Sequence, residues 1–170
     1  MRKIYVLLLV LLAVSGYSQT MPPQVYSKTY QGVYSVKSYG AKGDSTTNDH
    51  NAIQEALDAL PNYSTLVFPA GTYRIADSAI RLRLNAADRH NIIIDFGEAR
   101  IVTNDSLVGG EVFGVVGDDT LPFKNVEVRG GVFHDYSLKH HNNAIASVYA
   151  DGIRIHDVRV ERASRKGIAE

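Results

Sequence analysis

The chain has 170 residues, with 18 Lys and Arg against 18 Asp and Glu, and no Cys. Balanced charge, with no basic stripe and no dense aromatic interleaving, excludes an ordinary nucleic-acid binder. The absence of Cys excludes a disulfide-stapled scaffold, so stability must come from packing.

The first element is a leader. Arg2 and Lys3 precede an unbroken apolar run from Ile4 to Val14, and Ser15, Gly16 and Ser18 follow it. Charged, apolar, then small is the order of a secretory signal. The run is well short of the ~20 apolar residues that span a bilayer. Residues 1–18 are therefore read as an export signal cleaved after Ser18, with an N-terminal membrane anchor as the alternative. No Cys follows to carry a lipoprotein anchor, and no later apolar run is long enough to cross a membrane. Without Arg2 and Lys3, 16 basic side chains stand against 18 acidic ones, a balance of −2. The expected location is secreted or periplasmic. Residues 19–32 read as a linker. About 150 residues remain, enough for one domain with its own core.

The stretch YGAKGDSTTNDHNAIQEAL (39–57) runs from a Gly-containing loop through an acidic, hydroxyl-rich turn into a helix. Ala52, Ile53, Ala56, Leu57 and Leu60 share one face at helical spacing. Asn48 or Asp49 is suited to the N-cap, and Pro61 marks the end. Gly40 and Gly43 permit the tight turn before it. A phosphate loop is excluded, because Gly43 is followed by Asp44 rather than by Lys and Ser or Thr. A calcium loop starting at Asp44 would have Asp49 where a Gly is required. The remaining reading is a capped helix, with Asp44, Thr47 and Asp49 bonding local backbone.

TLVFPAGTYRI (65–75) reads as two short strands about a Pro-Ala-Gly turn. Brief β runs follow at 80–84, 91–96, 99–102, 111–116, 125–128, 131–133, 152–155 and 158–160, with Gly, Asn or Asp between most of them. NIIIDFGEARI (91–101), NVEVRGGVF (125–133) and GIRIHDVRV (152–160) share one scheme, at spacings of 34 and 27 residues. Each opens on Asn or Gly, then alternates aliphatics, breaks at two polar or turn residues, and resumes as a strand. Irregular repeats of short strands point to a solenoid with loops of varied length. A β-sandwich is the alternative.

VKSYGAKGDSTTNDHNAIQEALDAL with LVFPAGTYRI closely resembles the start of the pectate-lyase-like superfamily, and more narrowly the rhamnogalacturonase/epimerase-type pectate lyase domain. The resemblance rests on Gly40, Ala41, Gly43, Asp44, Asp49, Ala52, Ile53, Gln54, Ala56, Phe68, Pro69, Gly71 and Tyr73. Ser45, Asn48 and His50 depart from it, in place of Gly, Asp and Thr. NVEVRGGVFHD (125–135) is similar to a segment early in the body of polygalacturonases. The resemblance implies an all-β fold, a right-handed parallel β-helix (solenoid) with a short N-terminal capping α-helix, here Asn48 to Leu60. Residues 33–170 would be the N-terminal part of that domain. It also implies action on polysaccharides; no cofactor is evident, and calcium is left open if the chemistry is a lyase's.

Hydrolases of this kind need paired carboxylates, and lyases need a base and often a cation. Neither set stands out, and no catalytic residue is assigned. Gly117–Asp119 resembles a paired-Asp motif but reads as a turn. Asp151 in DGI (151–153) is a three-residue match to a catalytic carboxylate of polygalacturonases. His134, Asp135, His140, His141, Asn142 and Asn143 form a polar cluster, read as a surface loop or a substrate-contacting rim. His156 and Asp157 read as a turn. Arg154, Arg159, Arg162, Arg165 and Lys166 read as solvated outward positions, with a groove for an anionic glycan as the alternative. VERASRKGIAE (160–170) looks like one coil running into the next, so the domain is expected to be incomplete, with its catalytic coils beyond Glu170. The functional expectation is the N-terminal portion of a polysaccharide-degrading enzyme. The alternative is a non-catalytic glycan-binding β-helix of adhesin or tailspike type. Oligomeric state is not legible.

Overall fold

Aliphatic residues alternate with polar ones along most of the chain after the helix, and strands follow from that pattern. The computed structural model describes residues 32–76, 78–83, 89–104, 110–117, 123–136, 142–163 and 167–169. The leader, the linker up to residue 31, Asp118, Asp119, His140, His141, Arg165, Lys166 and Glu170 lie outside the described residues. In chain order come β1 (Gly32–Ser35), a 3-10 turn (Val36–Tyr39), β2 (Asp44–Asn48), α1 (His50–Ala59), β3 (Ser64–Val67), β4 (Thr72–Ile75) and β5 (Ile80–Arg83). Then follow β6 (His90–Thr103), β7 (Gly110–Val116), β8 (Phe123–Asp135), β9 (Asn142–Val148), β10 (Ala150–Asp151), β11 (Arg154–His156), β12 (Arg159–Arg162) and β13 (Ile168–Ala169).

Among the described residues every strand pairing is parallel, which an antiparallel sandwich would not give. The first sheet stacks β1, β3, β6, β8 and β11 along its first half, and β2, β4, β6, β8 and β12 along its second. The second sheet runs β5, β7, β9, β13. The result is mostly β, built from parallel sheets, and consistent with a β-helix-like fold.

The three sequence repeats lie one above another. Ile94 pairs with Val128, 34 residues on, and Val128 pairs with Ile155, 27 residues on. The opening Asn or Gly has a backbone reason. Tyr63, Asn91, Asn125 and Gly152 occupy equivalent positions and all take positive φ, at 59°, 55°, 54° and 71°. Asn and Gly enter this left-handed region at least cost. The turn residues between the half-repeats are a second such corner, with Gly97, Gly130 and Asp157 at φ 49°, 71° and 56°. Pairing continues through these corners, so the runs read as two strands at 91–96 and 99–102 are one, β6, and 125–128 with 131–133 are one, β8.

Inward side chains form stacked rows: Leu66, Ile94 and Val128 in one, Tyr73, Ile101 and Phe133 in another, all fully buried. Phe96 sits at the junction of the two sheets. Its ring lies 4.4 Å from Phe68, 5.1 Å from Phe133 and 5.4 Å from Phe113.

The helix is two residues shorter at its start than expected, and its capping differs. Asp49 is buried but does not cap; its carboxylate accepts from the backbone N–H of Lys42 at 2.6 Å and of Gly43 at 3.0 Å. Asn48 Oδ1 takes the His50 N–H at 3.2 Å and the Ala76 N–H at 3.1 Å. At the other end, the buried Arg89 guanidinium donates to the carbonyls of Leu57 and Leu60, at 2.8 and 2.6 Å. That satisfies acceptors the helix leaves over, with a cation where the helix dipole favours one. Gln54 faces the edge of β5. Its amide donates to Arg81 O at 2.8 Å and accepts from Arg81 N at 2.9 Å, as a neighbouring strand would.

Residues 44–48, read as a turn, form the exposed strand β2. Asp44 still bonds local backbone, accepting from Thr46 N at 2.9 Å and Thr47 N at 2.8 Å, and these bonds hold its carboxyl well below the usual range. The opening stretch is therefore structural.

Candidate functional site

In a strand, alternate residues share a face, and parallel stacking lines up residues far apart in sequence. On the second half of the first sheet, Tyr73, Ile75 and Ile101 point into the core, which turns Thr72, Arg74 and Arg100 outward. Pairing sets Thr72 beside Arg100, Arg74 beside Val102, and Val102 beside His134. A groove of about 390 Å³ opens on this face, lined by Ser45, Thr72, Arg74, Arg100, Asn104 and Tyr136 among others.

Its far wall is a charged cluster. Arg100 pairs with Glu161, sixty-one residues later, and lies 3.3 Å from His134 Nδ1. His134 Nδ1 is 3.2 Å from Glu161 Oε2, and its ring stacks on Tyr136 at 4.0 Å and 24°. The bond from Arg100, then that from His134, pulls the Glu161 carboxyl from 4.5 down to about 2. Glu161 is thus an anion at any ordinary pH, a poor proton donor but a firm counter-ion. Among the described residues the cluster holds no second carboxylate opposite Glu161, which a hydrolase's acid–base pair would need.

The first half of the same face carries a second ion-pair ladder. Arg129 donates to Asp95 Oδ2 at 3.0 and 2.7 Å and to Glu127 Oε1 at 3.2 Å, which raises its pKa. His156 reaches Glu127 at 3.3 Å and Asp157 at 2.7 Å.

The second sheet has its own groove, of about 520 Å³, with Glu111, Asn143, Ser147 and Tyr149 on its walls. Arg81 pairs with Glu111 at its margin.

The candidates read from sequence are dispersed. Asp151 is exposed on β10, and among the described residues its side chain makes no hydrogen bond or ion pair. Asn142 and Asn143 are not loop residues but open β9, and Asn142 is fully buried. Asp135 is also buried, taking the Thr103 hydroxyl at 2.5 Å and the Asn142 amide at 3.4 Å, so this part of the polar cluster is a core corner rather than a rim. His156 belongs to strand β11 rather than to a turn; Asp157 does sit at the corner. Arg154, Arg159 and Arg162 are exposed and outward. Among the described residues singled out in sequence, only His134 and Arg159 reach the Arg100 cluster; Arg74, Arg100, Tyr136 and Glu161 were missed. Laying the second halves of the repeats over one another would have aligned Arg100, Val132 and Arg159, but the register shift between Val160 and Arg162 hides Glu161. Among the described residues no three His, Cys, Asp or Glu side chains gather as metal ligands.

The family read from the opening residues is borne out. Residues 33–86 match the family model described as Rhamnogalacturonase A/epimerase, pectate lyase-like. An iota-carrageenase of Alteromonas macleodii is 28% identical over 139 residues, covering 68% of this chain and 28% of that protein. Alginate lyase 7 of Azotobacter vinelandii is 47% identical over 45 residues, 25% of this chain and 5% of that one. The non-secreted LysM effector LysM19 of Penicillium expansum is 44% identical over 57 residues, 33% of this chain and 4% of that one. Among solved structures, ORF18 of Geobacillus virus E2 superposes with a TM-score of 0.60 at 23% identity, over 74% of this chain and 25% of that chain, a likeness of fold alone. The chain spans between 4% and 28% of the length of the curated relatives it matches.

Proposed function

We propose that this chain is the N-terminal part of an exported, right-handed parallel β-helix enzyme that degrades an acidic or sulfated polysaccharide. The observation that carries the reading is the in-register stacking of the repeats behind a family-matched opening: Ile94 on Val128 on Ile155. Residues 1–18 would direct export, 19–32 would link, and 33–170 would supply the cap and first coils. Further coils would bring the catalytic groups. Ile153, Ile155, Val158 and Val160 support this, because they face the core yet are only partly buried. Both the hydrolase and the lyase chemistry stay within the proposal, and calcium would accompany the lyase.

The test is depolymerisation by the protein that carries this chain, on polygalacturonate, alginate and carrageenan. New reducing ends without unsaturated sugar identify a hydrolase. Reducing ends with unsaturated sugar identify a lyase. Tight binding without either product overturns the enzyme reading and leaves the non-catalytic glycan-binding module.

A further inference from the structure

The outward groove between Arg74 and Tyr136 lies on the first sheet, apart from the groove of the second. Its chemistry is uneven in an informative way. Arg74 and Arg100 stand on adjacent strands, offset by two residues on one face, which makes them diagonal neighbours. Like charges so placed repel unless an anion answers them. Glu161 answers Arg100. Nothing comparable answers Arg74: its guanidinium donates to Thr46 O at 3.1 Å, and among the described residues no carboxylate lies within 4.0 Å of it. Tyr136 is 50% exposed, although its ring is held from one side by His134. Thr72 and Ser45 add neutral hydroxyls to the walls. A cationic fork, a fixed aromatic plate and hydroxyls around an open cleft are what a charged sugar ring requires.

We propose that this groove is a saccharide subsite that takes one anionic sugar unit, its carboxylate or sulfate on Arg74 and Arg100 and its ring on Tyr136. Glu161 acts there as a built-in competitor, occupying Arg100 until the ligand's anion displaces it. The proposal takes the saccharide class from the reading above, but its test reads binding and not cleavage, so either can fail alone.

Calorimetric titration of the full chain would use three probes: trigalacturonate, a sulfated galactan oligosaccharide, and the neutral galactan oligosaccharide of the same length. At least one anionic probe should bind at least tenfold more tightly than the neutral one, and added salt should weaken it. The tighter anionic probe identifies the group, carboxylate or sulfate. Arg74→Gln should lose about tenfold in affinity, as expected for a hydrogen bond to a charged group. Tyr136→Ala, at a half-exposed position that should leave the thermal transition unmoved, should weaken both anionic probes. Glu161→Gln should tighten binding by releasing Arg100, a direction that a purely structural pair would not give. Equal binding of neutral and anionic probes, no binding by the folded chain, or unchanged affinity in folded Arg74→Gln and Tyr136→Ala would overturn the proposal.

Discussion

At the edge of β5 the amide of Gln54 makes both bonds that a preceding strand would make, and α1 lays Ile53, Ala56 and Leu57 into the core. At β11 and β12 the scheme of aliphatics and corners is the same, yet Ile155 and Val160 are only partly buried, whereas Val128 and Phe133 one turn earlier are fully buried. Equivalent positions thus differ in burial by what lies above them, not by their own pattern. In stacked folds a turn is stabilised by its neighbours, and its own residues set only register and direction.

The comparison can be broken most strongly in the core. Phe96→Ala removes the ring that joins Phe68, Phe113 and Phe133, and should cost ~3–5 kcal/mol in urea unfolding. Val160→Ala should cost only about 1 kcal/mol, because the side chain is only partly buried. Equal losses would mean that the last turns are packed as tightly as the first. Gln54→Ala tests the sealed end. It leaves Arg81 N and O without their partner and should cost ~1–3 kcal/mol. A loss near zero would show that the edge needs no seal.

The smallest expected effect concerns pH. The carboxyl of Glu161 is depressed in the folded chain from 4.5 to about 2, so its pairing with Arg100 is fully present above 4.5 and is lost as pH falls through 2. Acid titration of stability should therefore be shallower in Glu161→Gln over that window, by a small amount because the group is solvent-exposed. Identical acid profiles would remove Glu161 as the counter-ion.

The repeats were legible because their signature is local. A left-handed opening residue selects Asn or Gly, and inward positions select aliphatics, so Asn91, Asn125 and Gly152 announce the turns and their spacing gives the register. The strands β1, β2, β9 and β10 were not read from the sequence, and two of them show why. In β2 the residues Asp44–Asn48 are all polar and exposed, with no inward row to mark them. In β9 the pair Asn142 and Asn143 reads as loop, and small Ala144 and Ala146 replace the large aliphatics of other strands. The charged groove was illegible for another reason. Arg74, Arg100, Tyr136 and Glu161 are neighbours only through parallel stacking, and a register shift after Val160 removes the last clue.

The measurement that tests the account most directly uses the absence of Cys in the chain. Glu127 and Arg154 are paired across adjacent parallel strands, both outward, so their Cα atoms lie within disulfide range, about 5 Å. The double variant Glu127→Cys with Arg154→Cys should cross-link on mild oxidation, while Glu127→Cys with Arg159→Cys should not. A cross-link in the second pair and none in the first would contradict the stacking on which both the fold and the groove depend.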